Sequence, residues 1–164
     1  MTALPTTERF FAPEISKAFF ATALADPEAY TRAEVDASTD LTDEIADLAG
    51  WNVTSAMIAT PDLGSRFNKQ IGGRTSADAS TITFYASRNG DDVRKVLPRG
   101  TRGYVIFMDG GDVPAQPSDV FHVEVTSVGK VRTVGDSAFQ ITISFAILDA
   151  PAEDVAIPAA AAGA

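Results

Sequence analysis

The chain has 164 residues, a formal net charge of −9, 45% hydrophobic and 21% charged residues, no cysteine and a single histidine. These figures suit one folded domain and exclude a disordered chain, a disulfide framework, a thiolate metal site and a cysteine nucleophile. With His122 alone there is no His-rich metal cluster and little basis for a serine triad, and the acidity argues against general attraction to nucleic-acid backbones.

No apolar run is long enough to span a bilayer, so membrane insertion is not expected. The N-terminal stretch MTALPTTERFF carries Glu8 and Arg9 ahead of only Phe10, Phe11 and Ala12, which is not the form of a signal peptide, so synthesis in a cytoplasm is expected. Met1–Thr7 reads as an extended, proline-containing arm. Ile15–Ala23 (ISKAFFATA) reads as a strand, Asp26-Pro27 as the start of a turn, and Arg32–Ala37 (RAEVDA) as a short strand.

Thr39–Val53 supports two readings. TDLTDEIADLAG fits a short amphipathic helix with Leu41, Ile45 and Leu48 on one face and Gly50 as its stop. A strand would instead align Ile45, Ala49, Trp51 and Val53. Composition favours the helix, because Asp, Glu and Ala are poor strand residues.

Thr60–Ser80 is polar, punctuated by Pro61, Gly64 and Gly72-Gly73, and concentrates the positive charges Arg66, Lys69 and Arg74. It reads as a long connection without secondary structure of its own, either solvated or ordered against something else. Ser80–Ala86 (STITFYA) is a strand with Ile82 and Phe84 on one side and Tyr85 on the other. Asn89-Gly90 marks a turn. Asp91 or Asp92 can begin a helix with Val93, Val96 and Leu97 inward, ended by Pro98 and Gly100. Arg102–Met108 (RGYVIFM) is nearly all apolar and predicts a strand covered on both faces, with the preceding helix as one cover. Asp109–Ser118 is a loop.

Asp119–Asp149 has the strongest pattern. Phe121, Val123 and Val125, then Phe139, Ile141, Ile143, Phe145 and Ile147, alternate with polar or small residues at period two. Two long antiparallel strands are expected, joined near Gly135-Asp136. One face is dry; the other carries His122, Glu124, Thr126, Lys130, Gln140, Thr142 and Ser144. Beyond Asp149, Pro151 and Pro158 break any regular element, and the alanine-rich end is a tail that docks or dangles.

No catalytic, cofactor-binding or metal-binding constellation emerges. The acidic groups Asp40/Asp43/Glu44/Asp47, Asp91/Asp92 and Glu153/Asp154 lack any sign of an enclosing pocket, so they read as solvated charge. Gly110-Gly111 and Gly72-Gly73 lie in no phosphate-loop context, and DGGD at Asp109–Asp112 is too short for a calcium loop. Ser65 and Ser144 sit in no nucleophile motif. Long strands, extended arms and a long loop instead suggest a β-rich structural protein. Its arms and sheet edges would be completed by further copies, head to tail.

Seven stretches carry a family resemblance through their order and spacing. They are Thr39–Trp51 (TDLTDEIADLAGW), Thr60–Phe67 (TPDLGSRF), Ser80–Ala86 (STITFYA), Asp91–Gly100 (DDVRKVLPRG), Gly103–Gly111 (GYVIFMDGG), Asp119–Lys130 (DVFHVEVTSVGK) and Phe139–Phe145 (FQITISF). With them the chain resembles the tail tube, or major tail, proteins of long-tailed bacteriophages, especially those of actinobacteria. The resemblance covers residues from about 33 to 158.

It implies a mainly β fold: an antiparallel sandwich or barrel-like core with one short flanking α-helix, a long inter-strand loop and extended terminal arms. The expected organisation is an arm over 1–14, a β domain over 15–150 with a projecting loop at 60–79, and a tail over 151–164. It also implies an elongated strand over Thr42–Ile58 in place of the helix.

The implied function is structural and non-enzymatic: six-membered rings stacked head to tail into the virion's tail tube, the conduit for DNA ejection. Implied partners are further copies of the chain, a tape-measure protein, a tail terminator and baseplate or tail-tip proteins, with transient, non-specific passage of DNA. A tail terminator, a head–tail connector or a capsid decoration protein is the alternative. Expected subunit contacts are Phe10, Phe11, Arg66, Phe67, Lys69, Ile71 and Arg74, with the face of His122, Glu124, Lys130, Gln140 and Thr142 toward the channel or a neighbour.

Overall fold

The computed structural model describes residues 3–159. Among the described residues ten strands form: β1 (Lys17–Ala21), β2 (Thr39–Asp40), β3 (Ile45–Ala49), β4 (Val53–Ala59), β5 (Gln70–Ala77), β6 (Ser80–Tyr85), β7 (Arg102–Met108), β8 (Pro117–Val131), β9 (Gln140–Ile147) and β10 (Ala152–Ala156). Eight of them make one antiparallel sheet in the order β2-β1-β7-β8-β9-β6-β3, with β10 also on β8; β4 and β5 pair separately.

The sheet has to curl. Laid flat, β2 and β3 would stand about 29 Å apart at normal strand spacing. Only residues 41–44 connect them, and an extended chain of that length reaches about 18 Å at most. The connection is tighter still, because Thr42–Glu44 is a 3-10 turn. The result is a barrel-like sheet that is not closed by hydrogen bonds. Its interior holds Phe20, Leu41, Ile82, Phe84, Leu97, Val105, Phe121, Val123, Ile141 and Ile143. A second cluster lies on the other face of β1, β7 and β8: Tyr30, Val35, Ile106, Met108, Val120, Val155 and Ile157. β7 is thus covered on both sides, as its apolar run predicts. The cover on the interior side includes Val93 and Leu97, from the segment just before it.

The strong alternation over β8 and β9 gives the expected antiparallel pair, from Val123 opposite Ile147 to Val131 opposite Gln140. One detail breaks the simple pattern. The register shifts between Val125 and Ser127, so Lys130 stands opposite Ile141 and Val128 opposite Ile143. Directly opposed residues share a face, so the bulge at Thr126 turns Lys130 to the interior side, away from His122, Glu124, Gln140 and Thr142.

Four other expectations are corrected. Arg32–Asp36 is a helix, α1, rather than a strand. Thr31 caps it, and Glu34 reaches back to the Thr31 backbone N–H at 2.7 Å, a reciprocal capping box that outweighs the weak strand reading. Thr39–Gly50 is not a helix; it is β2, the 3-10 turn and β3, as the resemblance implied in kind. The strand is not continuous to Ile58, however, because Gly50 and Trp51 both take positive φ and bend the chain between β3 and β4. The helix expected at Asp91–Leu97 contracts to a 3-10 turn, Val93–Lys95, with Asp92 as its cap and Pro98 close behind. Finally, the residues between Pro151 and Pro158 form β10. Its register places Ala152 opposite Val120 and Ala156 opposite Pro117, so β9 and β10 run in succession along one edge of β8. The docked tail is buried through Val155 and Ile157; its last alanine and glycine residues lie outside the described residues.

Candidate assembly surfaces

The stretch expected to be a long loop is largely a β-hairpin. β4 and β5 pair from Val53 opposite Ala77 to Ala59 opposite Gln70, leaving only residues 60–69 as its tip. The hairpin is rooted firmly. Trp51 N donates to the hydroxyl of Ser80 at 3.0 Å, and Asp78 N donates to Asn52 O at 3.0 Å. The Trp51 indole stands edge-on to Phe107 and Phe121 with ring centroids 4.9 and 5.2 Å away, and its Nε1 donates to Thr81 O at 3.2 Å. Only glycine fits beside it: a Cβ on Gly50 would lie 2.4 Å from Ala79 O.

Beyond this root the hairpin stands free. Every β4 residue is exposed, and Met57 (76%), Phe67 (75%), Leu63, Ile58 and Ile71 present apolar side chains to solvent. Ile58 and Ile71 are directly opposed and share one face; Met57 is on the other. An isolated two-stranded hairpin is marginal in water and gains little from packing of its own. Lys69 is held by Asp62 at 2.8 Å, whereas Arg66 and Arg74 are exposed with no ion pair among the described residues. The loop expectation over 60–79 missed the pairing of Gln70–Ala77 with β4, because that stretch has no clear alternation: Gly72, Gly73, Thr75 and Ser76 offer no dry face.

Residues 3–11 of the arm have no regular structure, and Phe10 and Phe11 are exposed. The chain is first anchored at Ser16, whose hydroxyl donates to Asp109 O at 2.7 Å.

Of the five residues expected toward the channel or a neighbour, His122, Glu124, Gln140 and Thr142 lie on the polar face of the sheet. Tyr104 is directly opposite His122, and the two rings stack with centroids 4.7 Å apart. His122 Nδ1 lies 2.6 Å from Asp149 Oδ2, and Arg102 Nε donates to Glu124 at 2.6 Å. The hydroxyls of Thr142 and Thr83 are 3.0 Å apart, and Gln140 is opposite Tyr85. These are neighbour-to-neighbour pairs spread over an open sheet, not groups converging on a substrate. Among the described residues no three His, Asp or Glu side chains gather to hold a metal. Lys130 is on the other side, beside Arg88, Arg94, Arg132 and Phe139 around a concavity of about 430 Å³.

The clearest perturbed acid is Asp92. The Arg94 guanidinium, donating at 2.7 Å, holds its carboxyl down at about 2, aided by backbone donors at Ser87 and Arg94. It fastens the 3-10 turn.

No curated protein sequence matches the chain. Among solved structures, the fold is similar to the sheath/tube terminator of the PVC extracellular contractile injection system, with a TM-score of 0.64 and 7% identity over 89% of this chain and 97% of that one. It is similar to the tube-terminating cap of the anti-feeding prophage, with a TM-score of 0.60 and 11% identity over 95% and 99%. It is also similar to the SPP1 tail tube, with a TM-score of 0.59 and 14% identity over 88% and 79%. At these identities the likeness is one of fold. The sequence itself matches the phage tail tube protein family over residues 4–160. This protein, with its open antiparallel barrel, its free-standing hairpin and its unpaired arm, belongs to the phage tail tube protein family.

Proposed function

We propose that the chain self-assembles into six-membered rings that stack head to tail into a tail tube, the conduit for DNA ejection. The observation that carries this reading is the β4–β5 hairpin. It is firmly rooted at Trp51 yet exposes apolar residues on both faces, and such a surface is stabilised by a partner. Phe67 and Ile71 are the apolar anchors on an adjacent subunit, with Arg66, Lys69 and Arg74 as exposed charges around them. Exposed ion pairs contribute only about 0.2–1 kcal/mol each, so the apolar anchors dominate. Phe10 and Phe11 on the arm dock on a neighbour in the same way. The face of His122, Glu124, Gln140 and Thr142 lines the channel or meets the neighbouring sheet. A net charge of −9 suits a conduit along which DNA slides without sticking. A tape-measure protein, a terminator and baseplate or tail-tip proteins are the further partners.

A second reading is a tail terminator that closes one ring and does not stack; the fold likeness to two tube-ending proteins favours it. Negative-stain microscopy of the purified protein at rising concentration separates the two. Long hollow tubes with a regular axial repeat support the tube. Single rings at every concentration, with a tail tip present as nucleus, support the terminator, and persistent monomers overturn both.

A further inference from the structure

The charges are sorted by end along β8. At its C-terminal end Lys130 and Arg132 join Arg88, which follows β6, and Arg94 around the concavity, with the part-exposed ring of Phe139 beside them. Arg94 is neutralised by Asp92 at 2.7 Å. Among the described residues, Arg88, Lys130 and Arg132 make no ion pair. Three unanswered cations around one hollow are conspicuous in a chain of net charge −9.

The N-terminal end of β8 is the reverse. Asp119 accepts the backbone N–H of Asp154 at 3.0 Å, which sets Asp154 and its neighbour Glu153 beside it. Asp109 is close enough that, after burial, the Asp119 charge pushes its carboxyl pKa up further. Asp119 and Lys130 are eleven residues apart on a strand, or about 35 Å. The hairpin, with its own cations Arg66 and Arg74, leaves the sheet at the Ser80 end of β6, whereas the basic hollow adjoins the Tyr85 end.

We propose that the basic hollow of Arg88, Lys130 and Arg132 receives the acidic end of a second copy, Asp119, Glu153 and Asp154, and that this contact sets the direction in which copies add. The inference rests on the self-assembly reading above. Unlike charges meet only when copies point the same way; a reversed copy sets cations against cations or carboxylates against carboxylates. The contact is therefore heterologous, repeats without consuming itself, and rejects the wrong orientation by repulsion. A DNA phosphate backbone is the less suitable occupant. It calls for an extended basic stripe, whereas these cations surround one short hollow in a chain of net charge −9. The matching carboxylates are carried by every copy.

The test uses complementary charge reversals in the full chain, at exposed positions that leave the buried core untouched. Arg88→Glu/Arg132→Glu makes both ends acidic; Glu153→Lys/Asp154→Asn removes the acidic end. Assembly is followed by sedimentation and microscopy, with thermal unfolding as the check on folding, and Arg88→Gln/Arg132→Gln stands in should the Glu variant misfold. Each variant alone is expected to need a concentration about tenfold higher than the parent to assemble. An equimolar mixture of the two variants is expected to recover assembly, because in alternating copies the intact acidic end meets the intact basic hollow, and the lysine introduced at position 153 meets the glutamates introduced at 88 and 132. If wild-type protein assembles and the Arg88/Arg132 variants do so at an unchanged threshold, the inference is overturned while the self-assembly reading stands. Blocked variants that fail to rescue each other overturn it equally. It is also overturned if the substitutions abolish binding of a labelled DNA duplex and leave assembly intact, since the hollow is then a phosphate site. A wild-type chain that never assembles overturns both readings.

Discussion

Asp92 shows how much one side chain contributes to a short element. Its side chain is only 3% exposed, yet it stays ionised because Arg94 and two backbone N–H groups surround it. Its pKa falls from 3.8 to about 2 on folding. A depressed carboxylate pKa contributes stability that is present above the unfolded value and lost as pH falls toward the folded one. Asp92→Asn should therefore cost about 2 kcal/mol at neutral pH. Urea unfolding should show that difference shrinking between pH 4 and pH 2; an undiminished difference at pH 2 would mean the charge is not the cause. Gly50 acts through the backbone instead. Its φ is +84°, and a Cβ would meet Ala79 O at 2.4 Å, so Gly50→Ala has to displace the hairpin root. A loss of about 2 kcal/mol or more is expected in thermal or urea unfolding, and quenching of the lone Trp51 should change with it. The signal for Gly50 was present in the sequence as a helix stop, but its role is to bend a strand.

Among the elements, the β4–β5 hairpin is the one whose removal separates folding from assembly. Asn52 O and Asp78 N are already hydrogen bonded, so a two-residue turn in place of residues 53–77 closes the gap with little strain. The hairpin buries almost nothing, so the shortened protein should unfold within about 1 kcal/mol of the parent. Its tubes should be absent by microscopy. Normal tubes from the shortened protein would remove the hairpin from the assembly. The short helix α1 gives the opposite lesson about legibility. The three-residue spacing from Thr31 to Glu34 is a capping-box signature readable from the sequence, and it outweighs the short-strand reading of Arg32–Ala37. The strand β10 was not readable, because five residues between two prolines acquire strand geometry only from the unpaired stretch of β8 beside them.

For the whole molecule, this phage tail structural protein folds as one curled sheet with a separate two-stranded hairpin, and most of its exposed large apolar side chains lie on the arm, the hairpin and loop positions, with Leu48, Tyr85 and Val131 on the sheet. Phe10→Ser/Phe11→Ser tests the arm. Neither ring is buried in the monomer, so its unfolding midpoint should not move. The concentration needed for assembly should rise about tenfold, as for the loss of aromatic anchors at an interface. Sedimentation across a dilution series measures it, and an unchanged threshold would leave the arm without a role in association.

Residue order alone determined the parts that depend on local alternation. The dry faces of β6, β8 and β9, and the double burial of β7, follow from side chains that point to opposite sides at every second residue. Tertiary structure decided what depends on a partner strand. Gln70–Ala77 and Ala152–Ala156 have too few apolar side chains to declare a face, and they become strands because β4 and β8 offer unpaired N–H and C=O groups. It also decided where Lys130 stands. A single bulged residue at Thr126 reverses the alternation of everything after it, and no periodicity in the sequence records where pairing slips by one.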